Sequence, residues 1–479
     1  MSDPAQIPDS TSEPSAEQFS YGDDVPSPDG IAHRFLWRVL LLGILLLPVQ
    51  ILLCILPILT ALFGGWIKGW RQISSRWSVI SWGIVSLTLV LTVPFALEPW
   101  QAFWGLMNFY PFFLWFGATQ WLVRHPRQLR AIGECLAVSI IPVMILGIGQ
   151  MFWGWTQQVH LAFPSFTFGL PETLDRMTAT FMHANLFANY VAVTFTFTLS
   201  LWIEAGNQLR YRWRALSNST ERWQDLWQNH WCYRWLGLSG SLGLHIICLV
   251  MANSRNGWAA AALVVLGFAI YCGWRRFIAF GLAIIATTYG AAFAGEPLRT
   301  ACRWVVPRLI WARLNDEMYP DRPQKELRTA QWQFVWEMVQ QKPLTGWGMQ
   351  SFGDLYYAYS QIRLNHPHNI FFLLAFSTGL INAFLFVGLV GILMGRSVYV
   401  LIKRWLAPLE QQWLFTTIMA FVCCIVFHIT DSSMFDPRLN CLGWLLLGSL
   451  SGVTEQMFSS YHRLSSYRRE QSTSTEGNA

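Results

Sequence analysis

Residues 40–63 read LLLGILLLPVQILLCILPILTALF. The stretch carries no charge and no alternation of polar with apolar residues. A strand of a membrane barrel would alternate with period two over about 10 residues. An unbroken apolar run fits a helix crossing a hydrocarbon core of about 30 Å, which takes about 20 residues. Lipid offers the backbone no water to bond, so such a segment must pair its own N–H and C=O groups, and a helix does so.

Working outward from this stretch, eleven apolar runs lie at roughly 36–63, 78–97, 100–123, 131–153, 184–203, 235–252, 258–273, 277–294, 370–394, 411–430 and 439–457. Composition agrees. The 479 residues are 53% hydrophobic and 13% charged, about half the charge of a soluble domain. That leaves too little polar surface for a water-soluble enzyme. The 27 Trp suit a chain whose indoles gather at membrane interfaces. The fold expected is an all-α polytopic membrane protein of about 11–12 transmembrane helices with one long outward loop. Eleven spans would set the N-terminus outside. A hairpin within the first run, broken by Pro48 and Pro57, would restore an even count.

Basic residues set the orientation. Lys68, Arg71 and Arg76 follow the first run, Arg124, Arg127 and Arg130 the third, and Arg210, Arg212, Arg214, Arg222 and Arg234 the fifth. Arg275 and Arg276 follow the seventh, Arg396, Lys403 and Arg404 the ninth, and Arg463, Arg468 and Arg469 the last. Every second connection is basic, which marks the cytoplasmic side. The organisation expected is an acidic tail at 1–33, membrane helices over 34–294, a large outward loop at 295–369, further helices over 370–458 and a cytoplasmic tail at 459–479. The first 33 residues hold seven acids and neither Lys nor Arg, a composition expected to stay disordered. The nine Cys form no CxxC and no zinc spacing, so neither a disulfide framework nor a metal is expected from them.

The informative residues fall on the outward connections. Arg176 and His183 lie in DRMTATFMHANLFANY, Arg255 in the short turn ANSRNGW, and Arg328 in the long loop. His366, His368 and Asn369 form HPHN, and Asp431 and Arg438 flank the last outward turn. A charge at membrane depth costs about 2.5–3.5 kcal/mol on insertion scales, so it usually faces a cavity. Guanidinium groups grip phosphate with two parallel bonds and stay charged, and histidine accepts a proton near neutral pH. Together they suit transfer from a diphosphate-linked donor, with the arginines on the leaving diphosphate and a histidine on the attacking hydroxyl. Bland readings stand beside these. Arg176 or Arg255 would snorkel to headgroups, His183 and Asn185 would cap the next helix, and Arg328 would pair with Glu326 or Glu337. His245 and His428, inside spans, are expected to be packed and hydrogen-bonded. No Asp-x-Asp, HExxH, GK[ST] loop or GxSxG is present, which argues against metal-held nucleotide-sugar transfer and hydrolase chemistry. Nothing points to nucleic acid.

Three of these stretches resemble the O-antigen ligase and polymerase superfamily: Arg176 to Asn185, Ser254-Arg255 opening a span, and KPLTGWGMQSF followed by HPHN and FFLLAFSTGLINA. The resemblance covers about 170–457. It implies a glycosyltransferase fold of the C type in the bacterial inner membrane, needing no cofactor and no metal. Its members move a glycan from undecaprenyl diphosphate to an acceptor hydroxyl, with inversion, on the periplasmic face. The family's catalytic histidine falls on His368. Its diphosphate arginines fall on Arg176 and Arg255, with Arg328, His366 and Asn369 as further substrate-binding positions. The partners implied are the lipid-linked glycan, a glycan or lipid acceptor, and membrane lipid. Polymerases share the motifs, as do relatives once labelled bicarbonate transporters. A polymerase, or a transporter or transport accessory for a small anion, is therefore the alternative. A transporter would hold its key charges near mid-membrane, whereas here they sit at helix ends.

Overall fold

The computed structural model describes residues 30–160, 167–170, 175–215, 229–318, 321, 323–431 and 433–476. The acidic stretch therefore lies outside the described residues up to position 29. Among the described residues the chain is built of α1 (Gly30–Leu46), α2 (Ile51–Ser74), α3 (Trp77–Thr92), α4 (Pro99–Gly105), α5 (Tyr110–Leu122) and α6 (Pro126–Trp153). An antiparallel hairpin of β1 (Gln157–His160) and β2 (Thr167–Leu170) follows, paired Gln157 to Leu170 and His160 to Thr167. Next come α7 (Ala184–Ala215), α8 (His230–Ala252), α9 (Arg255–Tyr271) and α10 (Arg275–Phe293). The long loop carries α11 (Leu298–Val305), α12 (Arg308–Leu314), α13 (Arg328–Gln341) and α14 (Phe352–Ser360). The chain ends in α15 (Ile370–Thr378), α16 (Leu380–Ile402), α17 (Pro408–Thr430) and α18 (Pro437–Glu476).

The protein is an all-α polytopic membrane protein. Eight of its described helices are long and apolar enough to cross a membrane, namely α2, α3 with its 3₁₀ extension to Phe95, α6, α7, α8, α10, α16 and α17, and α9 is apolar but shorter. Three of the eleven apolar runs give no candidate span among the described residues: the third, the seventh, which is α9, and the last, which begins α18. Three runs also do not form single helices. The first splits into α1 and α2 around Pro48. The third breaks at a 3₁₀ turn over Leu106–Asn108, and the ninth breaks at Gly379. Gly379 sits at φ +87°, and a Cβ there would fall 2.1 Å from the Leu344 carbonyl oxygen. Only glycine admits that approach of two backbones.

The same contact explains KPLTGWG. Trp347 N–H donates to Phe376 O at 2.8 Å, Gly348 N–H to Ser377 O at 2.9 Å and Leu380 N–H to Pro343 O at 2.8 Å. The motif therefore docks the long loop on the freed backbone groups of the broken helix. That docking fixes where HPHN, at the start of α15, must lie.

Helix α7 is the hub. Its most apolar window is 89% buried inside the protein, against 17–28% for α2, α3, α8, α10 and α16. Its turns YVAVTFTFTLS put small and hydroxyl side chains on its faces. Thr194, Thr196 and Thr198 return their hydroxyls to carbonyls one turn back. Ser200 takes bonds from Gln412 and Thr416 of α17 at 3.0 and 2.8 Å. Without water as a competitor, close packing and such interhelical bonds hold helices together in lipid. His245 is buried as expected, with Nδ1 2.7 Å from Ser241 O and Nε2 3.2 Å from Thr194 Oγ1. His428 differs from expectation: its buried Nδ1 has no hydrogen-bond partner.

Candidate functional site

The HPHN segment is shaped by its own chemistry. Asn369 caps α15, its Oδ1 accepting from Phe372 N–H at 3.0 Å, while its Nδ2 donates to Ile429 O at 2.8 Å. Trp332 of α13 donates Nε1–H to Pro367 O at 2.9 Å. Between these ties His368 is held at φ +51°, a left-handed conformation that non-glycine residues rarely keep without surrounding support. The strain turns its imidazole toward the end of α17, where Nδ1 lies 2.9 Å from Asp431 Oδ1. A carboxylate can only accept, so Nδ1 carries the proton and Nε2 is left as the basic nitrogen.

Asp431 ends α17 and is 9% exposed. Its other oxygen accepts from Asn185 Nδ2 at 2.9 Å, and Asn185 Oδ1 accepts from Arg176 Nη2 at 2.8 Å. Arg176 Nε donates to Ala252 O at 2.9 Å, and Met177 N–H donates to Met251 O at 3.0 Å. Arg176 is thereby pinned on the last turn of α8. Three residues on, past Asn253 at φ +47°, Arg255 opens α9. Ser254 Oγ caps that helix by accepting from Gly257 N–H. Helix N-termini favour anions, and Arg255 adds a guanidinium to this one. Its Nη1 donates to Asp316 Oδ1 at 3.0 Å.

One connected chain of polar groups thus runs His368, Asp431, Asn185, Arg176 and the α8–α9 turn bearing Arg255. Arg328 opens α13, one turn before the Trp332 that fastens HPHN. His366 stacks on Phe435 at 5.0 Å between centroids and sits 4.5 Å from the His368 ring. Burial, with His368 and His183 nearby, pushes the His366 pKa down to about 4, the Asp431 charge only partly opposing. His366 is therefore neutral at neutral pH and a poor base. His366, His368 and Asp431 together offer atoms within 4.8 Å of one another that could ligate a metal ion.

Three participants stand outside the site expected from sequence. Asp431 was recognised only as flanking a turn. Asn185 was expected to cap α7, whereas its side chain bridges Arg176 and Asp431. Asp316 had no distinguishing signal among the seven acids of the long loop. An acid at the end of an otherwise uncharged run was the available sign for Asp431.

The second wall of the site is locked from α18. Arg438, 6% exposed, pairs with Asp436 at 2.8 Å, donates to Thr180 O at 2.9 Å and lies 3.9 Å over the Phe181 ring. Asn189 Nδ2 donates to Ser433 Oγ at 3.0 Å. The Arg176 segment and the Asp431 turn are thus fastened together on both sides of the Asn185 bridge.

Residues 240–387 match the family described as O-Antigen ligase. This supports the O-antigen ligase superfamily for the chain, and with it a ligase- or polymerase-family role. The matched segment runs from α8 into α16 and includes Arg255, Arg328, His366, His368 and Asn369. Arg176, Asn185 and Asp431 lie outside it and join the site through the contacts above. No curated protein matches the chain.

Proposed function

We propose that the protein is an O-antigen ligase-like glycosyltransferase that moves a glycan from a polyprenyl diphosphate, of the undecaprenyl kind, to an acceptor hydroxyl. The observation that carries this reading is the chain from His368 to the α8–α9 turn, which links a proton acceptor to a cationic helix start. In the step, the acceptor oxygen bonds to the anomeric carbon from the face opposite the diphosphate, and the carbon–oxygen bond to phosphate breaks with inversion. The acceptor proton passes to His368 Nε2. Asp431 holds the imidazole in the needed tautomer and steadies the imidazolium that forms. Arg176, Arg255 and Arg328 receive the charge that develops on the leaving diphosphate. Arg255 turns from Asp316 to do so. A diphosphate held by guanidiniums and a helix N-terminus needs no metal bridge, so the reaction is read as metal-independent.

The site lies at the Ala184 end of α7, and Arg210, Arg212 and Arg214 lie at the other. With the rule that basic connections face the cytoplasm, this supports reading the site as facing the periplasm of a bacterial inner membrane. The test is transfer from a lipid-linked oligosaccharide by purified protein without added metal or nucleotide sugar. His368→Ala should lower the rate by about 10²–10⁴-fold. A folded variant with the wild-type rate would remove the mechanism.

A further inference from the structure

The far end of the bundle holds a cavity. Helix α7 runs about 38 Å from Asn185 to Arg210 at about 1.5 Å per residue, so this cavity is remote from the site above. It measures about 370 Å³ and is walled by Trp202 and Trp213 of α7, Trp235 of α8 and Trp274 just before α10, with Asn207 and Arg210 beside them. The walls are set in place. Trp202 donates Nε1–H to Ser239 Oγ at 2.8 Å, and its ring stacks on Trp235 at 5.5 Å and 29°. Gly206 makes room for that pair, since a Cβ there would meet Trp235 Nε1 at 3.2 Å.

Two kinds of arginine lie at this end. Arg130 and Arg234, on the same end of the bundle, are bound to Glu204 and Glu134 at 2.9 and 2.8 Å. Arg210 at the cavity, and Arg275 and Arg276 directly after Trp274, are exposed. None of these three has an ion-pair partner among the described residues. Four indoles mark headgroup depth, and basic pockets between helices at this depth suit anionic headgroups.

We propose that this cavity is a binding site for an anionic phospholipid, with acyl chain along the indole walls and phosphodiester beside Arg210, Arg275 and Arg276. The indole faces alone would also suit a quaternary ammonium, but three guanidiniums with no ion-pair partner among the described residues oppose it. The proposal does not depend on the transfer reaction.

The experiment is native mass spectrometry of the full chain from a non-ionic detergent. Phosphatidylglycerol and phosphatidylcholine of equal chain length are titrated separately, and sn-glycerol 3-phosphate is added as competitor. Phosphatidylglycerol should be retained at least about tenfold more tightly, a difference of about 1.4 kcal/mol. Arg210→Glu should bring it to the phosphatidylcholine level, and Arg210→Lys should keep part of the preference. Arg210 is exposed, and an unchanged thermal transition without added lipid shows that each variant is folded. Equal retention of the two lipids, or no effect of Arg210→Glu in the folded variant, overturns the proposal. So does tighter phosphatidylcholine binding, which would make the site an ammonium cage. Effective competition by glycerol phosphate would mean a free phosphate site and also overturns it.

Discussion

The two ends of the bundle both gather arginines and acids, and they join them differently. At the basic end carboxylates meet guanidiniums. Glu204, 5% exposed, takes both Nε and Nη2 of Arg130 at 3.2 and 2.9 Å. Glu134 bridges Arg130 and Arg234. Glu455 takes Arg76 at 3.4 Å and Gln120 Nε2 at 2.8 Å. At the other end Arg438 and Arg255 form such pairs too, with Asp436 and Asp316, but the carboxylate of Asp431 meets an imidazole and an amide. A guanidinium–carboxylate pair satisfies both charges and leaves nothing to titrate near neutral pH. A carboxylate–imidazole pair leaves one nitrogen basic and aimed. The difference separates charges that fasten helices from charges arranged to act on something else.

Substitutions at both ends probe that difference. The largest effect after loss of His368 is expected for Asp431→Asn. The amide can no longer enforce the Nδ1–H tautomer, and the transfer rate should fall by about 10²-fold with little change in the donor KM. An unchanged rate would mean that the carboxylate only braces Asn185. Next comes Arg255→Lys. A point charge replaces a planar fork, so kcat/KM for the lipid-linked donor should fall by about tenfold, or about 1.4 kcal/mol. If only thermal stability changes, Arg255 belongs with the fastening arginines. The smallest catalytic effect is expected for Glu204→Gln at the basic end. It should cost about 1–2 kcal/mol of stability, less than a fully buried pair would lose, because Arg130 keeps Glu134 and part of its solvent. Transfer per folded molecule should be unchanged, and a large rate loss would erase the distinction between the ends.

Most of the helices were legible because lipid demands continuous apolar length, and runs such as 131–153 and 411–430 became α6 and α17 within a few residues. The breaks were harder. Nothing in the apolar run 370–394 separates α15 from α16 except Gly379, whose role depends on the Leu344 carbonyl docking from a distant loop. The same holds at the site. Arg176, Arg255 and His368 were conspicuous as charges at helix ends. Their connection was not, because Asn185 and Asp431 are far apart in sequence and become partners only through the packing of α7 against α17. Asn185 fitted a local capping role equally well, and only the neighbouring helix decides between the two.

The central claim is that His368 and Asp431 act as one unit. Its most direct test is the double variant His368→Ala with Asp431→Asn in the purified transfer assay. Groups that act together give losses that do not multiply. The double variant should run at the rate of His368→Ala alone, within about twofold. A rate reduced by the product of the two single losses would show that Asp431 works independently of the imidazole, and the proposed base would lose its orienting partner.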